Sequence, residues 1–166
     1  MTGAPRGVIV TGGASGIGAA IVTRLVAQGW VAGVLDKQPV AARERCFGYQ
    51  VDVTDFEAVR GAVADFAEIA GAPYGLVNNA GWDRAMPFLK TDPEFWDQVL
   101  GINLRGPLNV TFAVLELMAQ AGRGRVVSIA SDAGRVGSSG EAVYSAAKGG
   151  VIALMKTLAR EHARRG

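Results

Sequence analysis

A doubly wound α/β fold, a parallel sheet with helices on both faces, is predicted by three features of this 166-residue sequence. Five short apolar runs alternate with longer helical patterns, the order expected of βαβ units. The runs are almost continuously hydrophobic, as strands buried on both faces must be. A glycine-rich segment, Thr11 to Gly18, joins the first run to the first helical pattern, where a tight βα turn is needed.

The predicted strands cover residues 8–10, 31–35, 47–51, 74–77 and 126–129. Each is short and rich in Val, Ile, Leu or aromatic residues. The predicted helices cover residues 17–28, 56–69, 93–121 and 143–164, with an interruption of the third expected near Gly106-Pro107. One connection stands out. The ten residues 37–46, KQPVAARERC, are fewer than the dozen or so that a parallel crossover normally takes. A single helical turn or a bare loop is expected there. No repeat or low-complexity linker divides the chain, so residues 1–166 are expected to form one domain.

Thr11 to Gly18 reads TGGASGIG, four glycines in eight positions between a strand and a helix start. Free backbone N–H groups and the positive end of a helix dipole converge at such a turn, which suits a phosphate or pyrophosphate. A P-loop is disfavoured because Ala19-Ala20 stands where Lys and Ser/Thr are required. The G-x-G-x-x-G fingerprint also fails, since Gly12, Gly16 and Gly18 are spaced four and then two.

Composition excludes several classes. A formal charge of +2, with no basic block interleaved with aromatics, gives no argument for nucleic acid. Cys46 is the sole cysteine, so neither a disulfide framework nor a thiolate metal site is expected. The N-terminus shows no signal segment, and the uncharged stretch Gly7 to Thr23 is short for a membrane span and carries five glycines. A soluble, cytoplasmic protein without a membrane partner is expected. The sole histidine, His162, lies in the charged run REHARR and is expected to be a solvated helix-end residue, which disfavours a Ser-His-Asp hydrolase.

Polar residues gather where ligands bind in open α/β sheets, beyond the C-terminal ends of the strands: Thr11, Asp36, Asp52, Asn78-Asn79 and Ser131. Asp36 follows Gly18 by 18 residues, close to the spacing of an acid that binds an adenosine ribose. A carboxylate there repels a 2′-phosphate and favours NAD over NADP. Lys37 next door is a cation able to accommodate such a phosphate, so NADP stays open as the less favoured cofactor. Tyr144 and Lys148 stand at i and i+4 of a predicted helix, where an ammonium near the phenol favours its ionised form. That makes a tyrosine useful as a proton donor and acceptor. Ser131 lies thirteen residues before Tyr144, and a short loop can return it to the phenol.

Thr11 to Gly18, NNAG at Asn78 to Gly81, Asn103, Ser131, Tyr144 and Lys148 together resemble the signature set of the short-chain dehydrogenase/reductase family. The resemblance runs the length of the chain. It implies a Rossmann-like sheet of order 3-2-1-4-5, with further C-terminal strands of the family outside this chain. It further implies Tyr144 as acid/base, Ser131 on the substrate oxygen, and Lys148 on the nicotinamide ribose while lowering the tyrosine pKa. Asn103 holds a water of the proton relay by the same likeness. Gly12, Ser15, Gly16, Ile17 and Gly18 then cradle the pyrophosphate, Asp36 binds the ribose, Asp52 and Val53 lie at the adenine, and Asn79, Ala80 and Gly81 line the cofactor cleft.

A narrower likeness is carried by NNAGWD at Asn78 to Asp83, by the segment Ile129 to Gly150, and by KTLAREHARRG at the end of the chain. These stretches resemble dehydrogenases of 2-hydroxycyclohexanecarboxyl-CoA and, more loosely, 3-oxoacyl-ACP reductases. An acyl-CoA or other hydroxyacyl thioester is the substrate class implied, with Trp82, Asp132 and Arg135 as pocket candidates. Assembly as a homodimer or homotetramer through helices 93–121 and 143–164 is expected on the same ground. From a different class, a truncated dinucleotide-binding fragment that does not turn over is the alternative.

Overall fold

The structure is a computed structural model and describes residues 6–166. Five strands form one parallel sheet: β1 (Gly7–Thr11), β2 (Val31–Asp36), β3 (Cys46–Gln50), β4 (Gly75–Asn78) and β5 (Arg125–Ser128). Their order across the sheet is β3-β2-β1-β4-β5, as expected. The helices are α1 (Gly16–Ala27), α2 (Phe56–Ala70), α3 (Pro93–Leu100), α4 (Gly106–Ala121), α5 (Ala133–Val136) and α6 (Ala142–Glu161). Among the described residues no helix is long and apolar enough to cross a membrane.

Alternation along the strands divides the core between two faces. Ile9, Leu35 and Leu76 pack with Val59, Val63 and Phe66 of α2 and Val110, Val114 and Met118 of α4. Val8, Val10, Ala32 and Val34 point the other way, onto Val22 of α1. Phe66 is the largest fully buried side chain, and the strands make room for its ring by lacking side chains beneath it. A Cβ on Gly33 would lie 2.7 Å from the ring, and one on Gly7 would lie 3.2 Å from it. β5 is the edge strand at one side of the sheet, and its Val127 is 54% exposed.

Helix starts follow local chemistry. Asp55 caps α2 by accepting from the Ala58 N–H at 3.0 Å, and Asp92 caps α3 by accepting from the Phe95 N–H at 2.8 Å. The short link 37–46 takes the bare-loop option, closed by an antiparallel bridge between Arg43 and Cys46. It folds across Gly48, where any Cβ would sit 2.8 Å from that of Val40.

The interruption expected near Gly106-Pro107 takes the form of a π-helical turn, Gly101–Arg105, directly before that dipeptide and within a continuous path from Pro93 to Ala121. Pro107 lies in the first turn of α4, where its missing N–H is tolerated, so the irregularity is absorbed upstream. His162 departs from expectation. It caps the end of α6 half-buried, with Nδ1 enclosed, because the last turn folds against α4 and β5.

Phe66→Ala should destabilise the protein by about 3–5 kcal/mol, since the glycines beneath the ring cannot fill the void. Urea denaturation of the two proteins measures it, and a loss under 1 kcal/mol would contradict this account of the core.

Candidate active site

The site begins where β1 and β4 end side by side. The buried Thr11 hydroxyl accepts from the backbone N–H groups of Asn79 and Ala80, both at 3.0 Å. Asn79 answers with its side chain, donating to the carbonyls of Thr11 and Gly12 at 3.0 Å each. Neighbouring Asn78 donates to the Thr111 hydroxyl at 2.9 Å and the Ser128 hydroxyl at 3.2 Å, tying β4 to α4 and β5. The C-terminal edge of the sheet is thereby cross-linked by side chains.

Two glycines of the turn have left-handed backbones, Gly12 at φ +66° and Gly16 at φ +54°. A Cβ on Gly12 would lie 2.9 Å from the Ala80 Cα, whereas one on Gly16 would meet nothing within 4 Å. Gly16 thus presents bare backbone to open space. Ser15, the residue before α1, makes no capping bond with its side chain, and the first turn of α1 carries no acid. Ile17 beside it is 64% exposed. An uncapped helix start with no local anion and an open approach fits a phosphate group.

That start opens on a cleft of about 490 Å³, lined by Gly12, Ser15, Gly16, Ile17, Asp36, Lys37, Asp52, Val53, Asn79, Ala80 and Gly81, with Trp82, Gln98 and Ile102 at its far side. Ten of the predicted binding residues therefore share one wall-to-wall cavity. Gly18 stands behind it. It is buried against the Gly12 carbonyl, and a Cβ there would also lie 2.6 Å from the Asn79 amide nitrogen, so this glycine permits close packing and does not line the cleft. Asp36 accepts from the Ala14 N–H with one oxygen and from the Gln38 N–H with the other, both at 2.9 Å. Its carboxylate is oriented by the glycine turn and keeps further acceptor capacity.

Asp52 accepts twice from Thr54, at 2.9 Å from the N–H and 2.8 Å from the hydroxyl, and pairs with the Lys37 ammonium at 3.0 Å. Burial pushes the Asp52 carboxyl up, but these hydrogen bonds and the ammonium outweigh it and leave the carboxyl below its ordinary value. The cleft matches a dinucleotide in chemistry: bare N–H groups for phosphate, a fixed carboxylate for a ribose, and the apolar side chains of Trp82 and Ile102 beside the amide of Gln98.

A second cluster lies on α6 and the π turn. Lys148 is 4% exposed, donates to the Ile129 carbonyl at 2.9 Å, and holds its ammonium 5.5 Å from the Tyr144 ring centre. Burial pushes this ammonium below its ordinary value of 10.5. Asn103 is fully buried in the π turn and commits both amide N–H groups, to the Trp82 and Val99 carbonyls, while its oxygen accepts from the Trp82 N–H at 3.3 Å. Gly81 joins the two clusters. A Cβ there would lie 3.0 Å from the Asn103 oxygen and 3.7 Å from the Lys148 nitrogen. Ser131 follows β5, and its hydroxyl accepts from the Ala133 N–H at 3.2 Å.

The family model described as short chain dehydrogenase matches residues 6–166. The chain belongs to the short chain dehydrogenase family. Its relatives in that family include an acetoacetyl-CoA reductase of Synechocystis sp., 40% identical over 159 residues that cover 96% of this chain and 66% of the relative. Another is a mouse (3R)-3-hydroxyacyl-CoA dehydrogenase, 35% identical over 177 residues, covering 95% of this chain and 68% of that protein. A solved short-chain dehydrogenase from Streptomyces avermitilis superposes with a TM-score of 0.93 at 31% identity, covering 99% of this chain and 63% of that one. This family member thus spans about two thirds of the length of the relatives it matches.

Of the pocket candidates, Trp82 lines the cleft and meets the Phe95 ring edge-on at 5.9 Å, so packing and lining coincide. Asp132 and Arg135 pair with each other at 3.6 Å, both largely exposed. Sequence reasoning missed Asn109, which donates to the Val53 and Thr54 carbonyls from α4 and so positions the Asp52 loop. It also missed Thr111 and the cleft residues Gln98 and Ile102. A buried polar residue at helical spacing between apolar neighbours, as in Leu108-Asn109-Val110-Thr111, was the signal available.

Two outcomes are expected. Thr11→Val should cost about 2–4 kcal/mol in a denaturant titration, because two N–H groups lose their acceptor. For Lys148 the folded pKa lies below 10.5, so the unfolded chain binds more protons in that window and stability rises with pH. Its contribution is fully present above pH 10.5 and is lost as pH falls through the folded value. Wild type should therefore gain on Lys148→Met between pH 8 and pH 10; parallel stability curves would refute this.

Proposed function

We propose that residues 6–166 act as a dinucleotide-binding unit that interconverts a secondary alcohol and a ketone, on a hydroxyacyl thioester, with NAD preferred to NADP. The observation that carries it is the junction at Gly81, where a phosphate-ready cleft meets the Lys148 and Tyr144 pair. In this reading the turn Gly12 to Ile17 holds the pyrophosphate, Asp36 the adenosine ribose, and Asp52 with Val53 the adenine. Asn79, Ala80 and Gly81 flank the cofactor, and Tyr144 and Lys148 reach the nicotinamide ribose. When bound, the nicotinamide supplies a hydride donor or acceptor.

The chain's own residues then manage the proton. Tyr144 gives a proton to, or takes one from, the substrate oxygen, and the Ser131 hydroxyl hydrogen-bonds the same oxygen. Lys148 places positive charge where negative charge develops on the phenol, and the Ile129 carbonyl steadies that charge in a buried position. Pro107 has no N–H to donate to the Asn103 carbonyl four residues earlier, which supports a relay water at that carbonyl and not at the committed amide.

The named activities of the acetoacetyl-CoA reductase and the mouse hydroxyacyl-CoA dehydrogenase support a thioester substrate. 2-Hydroxycyclohexanecarboxyl-CoA and 3-hydroxyacyl thioesters of CoA or acyl-carrier protein are the specific candidates. We further place the protein in the cytoplasm as a homodimer or homotetramer. Exposed apolar groups on α4, among them Phe112 at 56% exposure, support the assembly.

Purified protein should bind NADH saturably, read by nicotinamide fluorescence, and oxidise a hydroxyacyl-CoA when NAD⁺ is supplied as the hydride acceptor. Tyr144→Phe should lose roughly 10²–10⁴ in kcat while still binding NADH saturably. Binding without turnover on any thioester would reduce the protein to a nucleotide-binding unit, and absence of binding would remove the proposal.

A further inference from the structure

Lys37 is the only cation among the residues lining the cleft, and it stands next to the carboxylate assigned to the ribose. An unengaged ammonium there would attract a 2′-phosphate. It is engaged instead. Asp52 crosses from the end of β3 to meet it at 3.0 Å, and the β2–β3 ladder brings the two together, with Asp36 in register with Gln50. The Gln50 amide also donates to the Lys37 carbonyl at 3.2 Å, holding that backbone in place.

The Asp52 carboxylate is not free to wander. One oxygen accepts both bonds from Thr54, which leaves the other for Lys37. The Thr54 and Val53 carbonyls are in turn held by the buried Asn109 amide on α4. A chain of polar contacts therefore runs from the core to the rim of the cleft and ends on the lysine.

We infer that Asp52 is a specificity-determining residue that neutralises Lys37, and that this ion pair, together with Asp36, makes the adenosine end of the cleft reject a 2′-phosphate. The inference rests on the dinucleotide site proposed above. Lys37 and Asp52 are 66% and 35% exposed in their side chains, so the effect is modest and screened by salt.

The test compares NADH and NADPH binding by fluorescence in wild type, Asp52→Asn, Lys37→Met and the double variant. The ratio of the two dissociation constants is the readout, since contacts of Asp52 with the shared adenine cancel in it. Asp52→Asn should shift the ratio toward NADPH by about fivefold at low salt and less at high salt. The double variant should lose that shift, because the released lysine causes it. Lys37→Met alone leaves the Asp52 carboxylate unpaired, so the ratio should move the other way, toward NADH, by a similar factor. An unchanged ratio in Asp52→Asn, a shift that survives in the double variant, or a shift toward NADPH in Lys37→Met would each overturn the inference while leaving the dinucleotide site intact. Failure of wild type to bind either dinucleotide would overturn both.

Discussion

The structure depends on the union of Thr11 with Asn79. These residues are 68 positions apart, yet the hydroxyl of one and the side-chain amide of the other make all four side-chain hydrogen bonds that join the ends of β1 and β4. β1 lies between β2 and β4, so the chain must leave toward one side of the sheet and later return on the other. A crevice opens at that reversal, and ligands of α/β sheets bind there. Without side-chain ties, the exposed N–H and C=O groups at the strand ends would need water, and the two loops would not hold a fixed spacing. With them, Gly12 can approach Ala80 closely enough to exclude a side chain.

Charge is distributed along the cleft in a consistent way. One end has an uncapped helix start without nearby acid, suited to an anion. Beside it stand Asp36, braced by two backbone N–H groups, and the Asp52 and Lys37 pair. At the other end a single ammonium, that of Lys148, is almost wholly buried. Burial of a charge is costly. The Ile129 carbonyl offsets part of that cost, and the adjacent Tyr144 ring adds a weak cation–π attraction.

The irregular middle of the long helix from Pro93 to Ala121 connects folding to the site. Proline near the start of α4 cannot complete the ordinary ladder, and the preceding residues respond by widening into a π turn. Asn103 sits in that turn. Its amide locks onto the backbone of Trp82, so the loop after β4 is fixed by the helix beside it. A first-turn proline and a fully hydrogen-bonded buried amide thus set the position of the cleft's inner end.

Much of this was legible in the sequence by itself. Strand and helix order follow from the spacing of apolar runs, because buried parallel strands and amphipathic helices impose different periods. The glycines of the turn and the Tyr144 to Lys148 spacing also declare themselves, since each reflects a constraint confined to a few neighbouring residues. The tertiary structure decided the rest. Lys37 looks like a free cation in the sequence, and only the pairing of β2 with β3 brings Asp52 to it. Asn103 invites a role through its side chain, and only the packed loop shows that its amide is spent on Trp82. Gly18 resembles a phosphate contact, and only the fold places it behind the wall. The reason is common to all three: a side chain's partner across the sheet or between helices is set by long-range register, which local spacing does not encode.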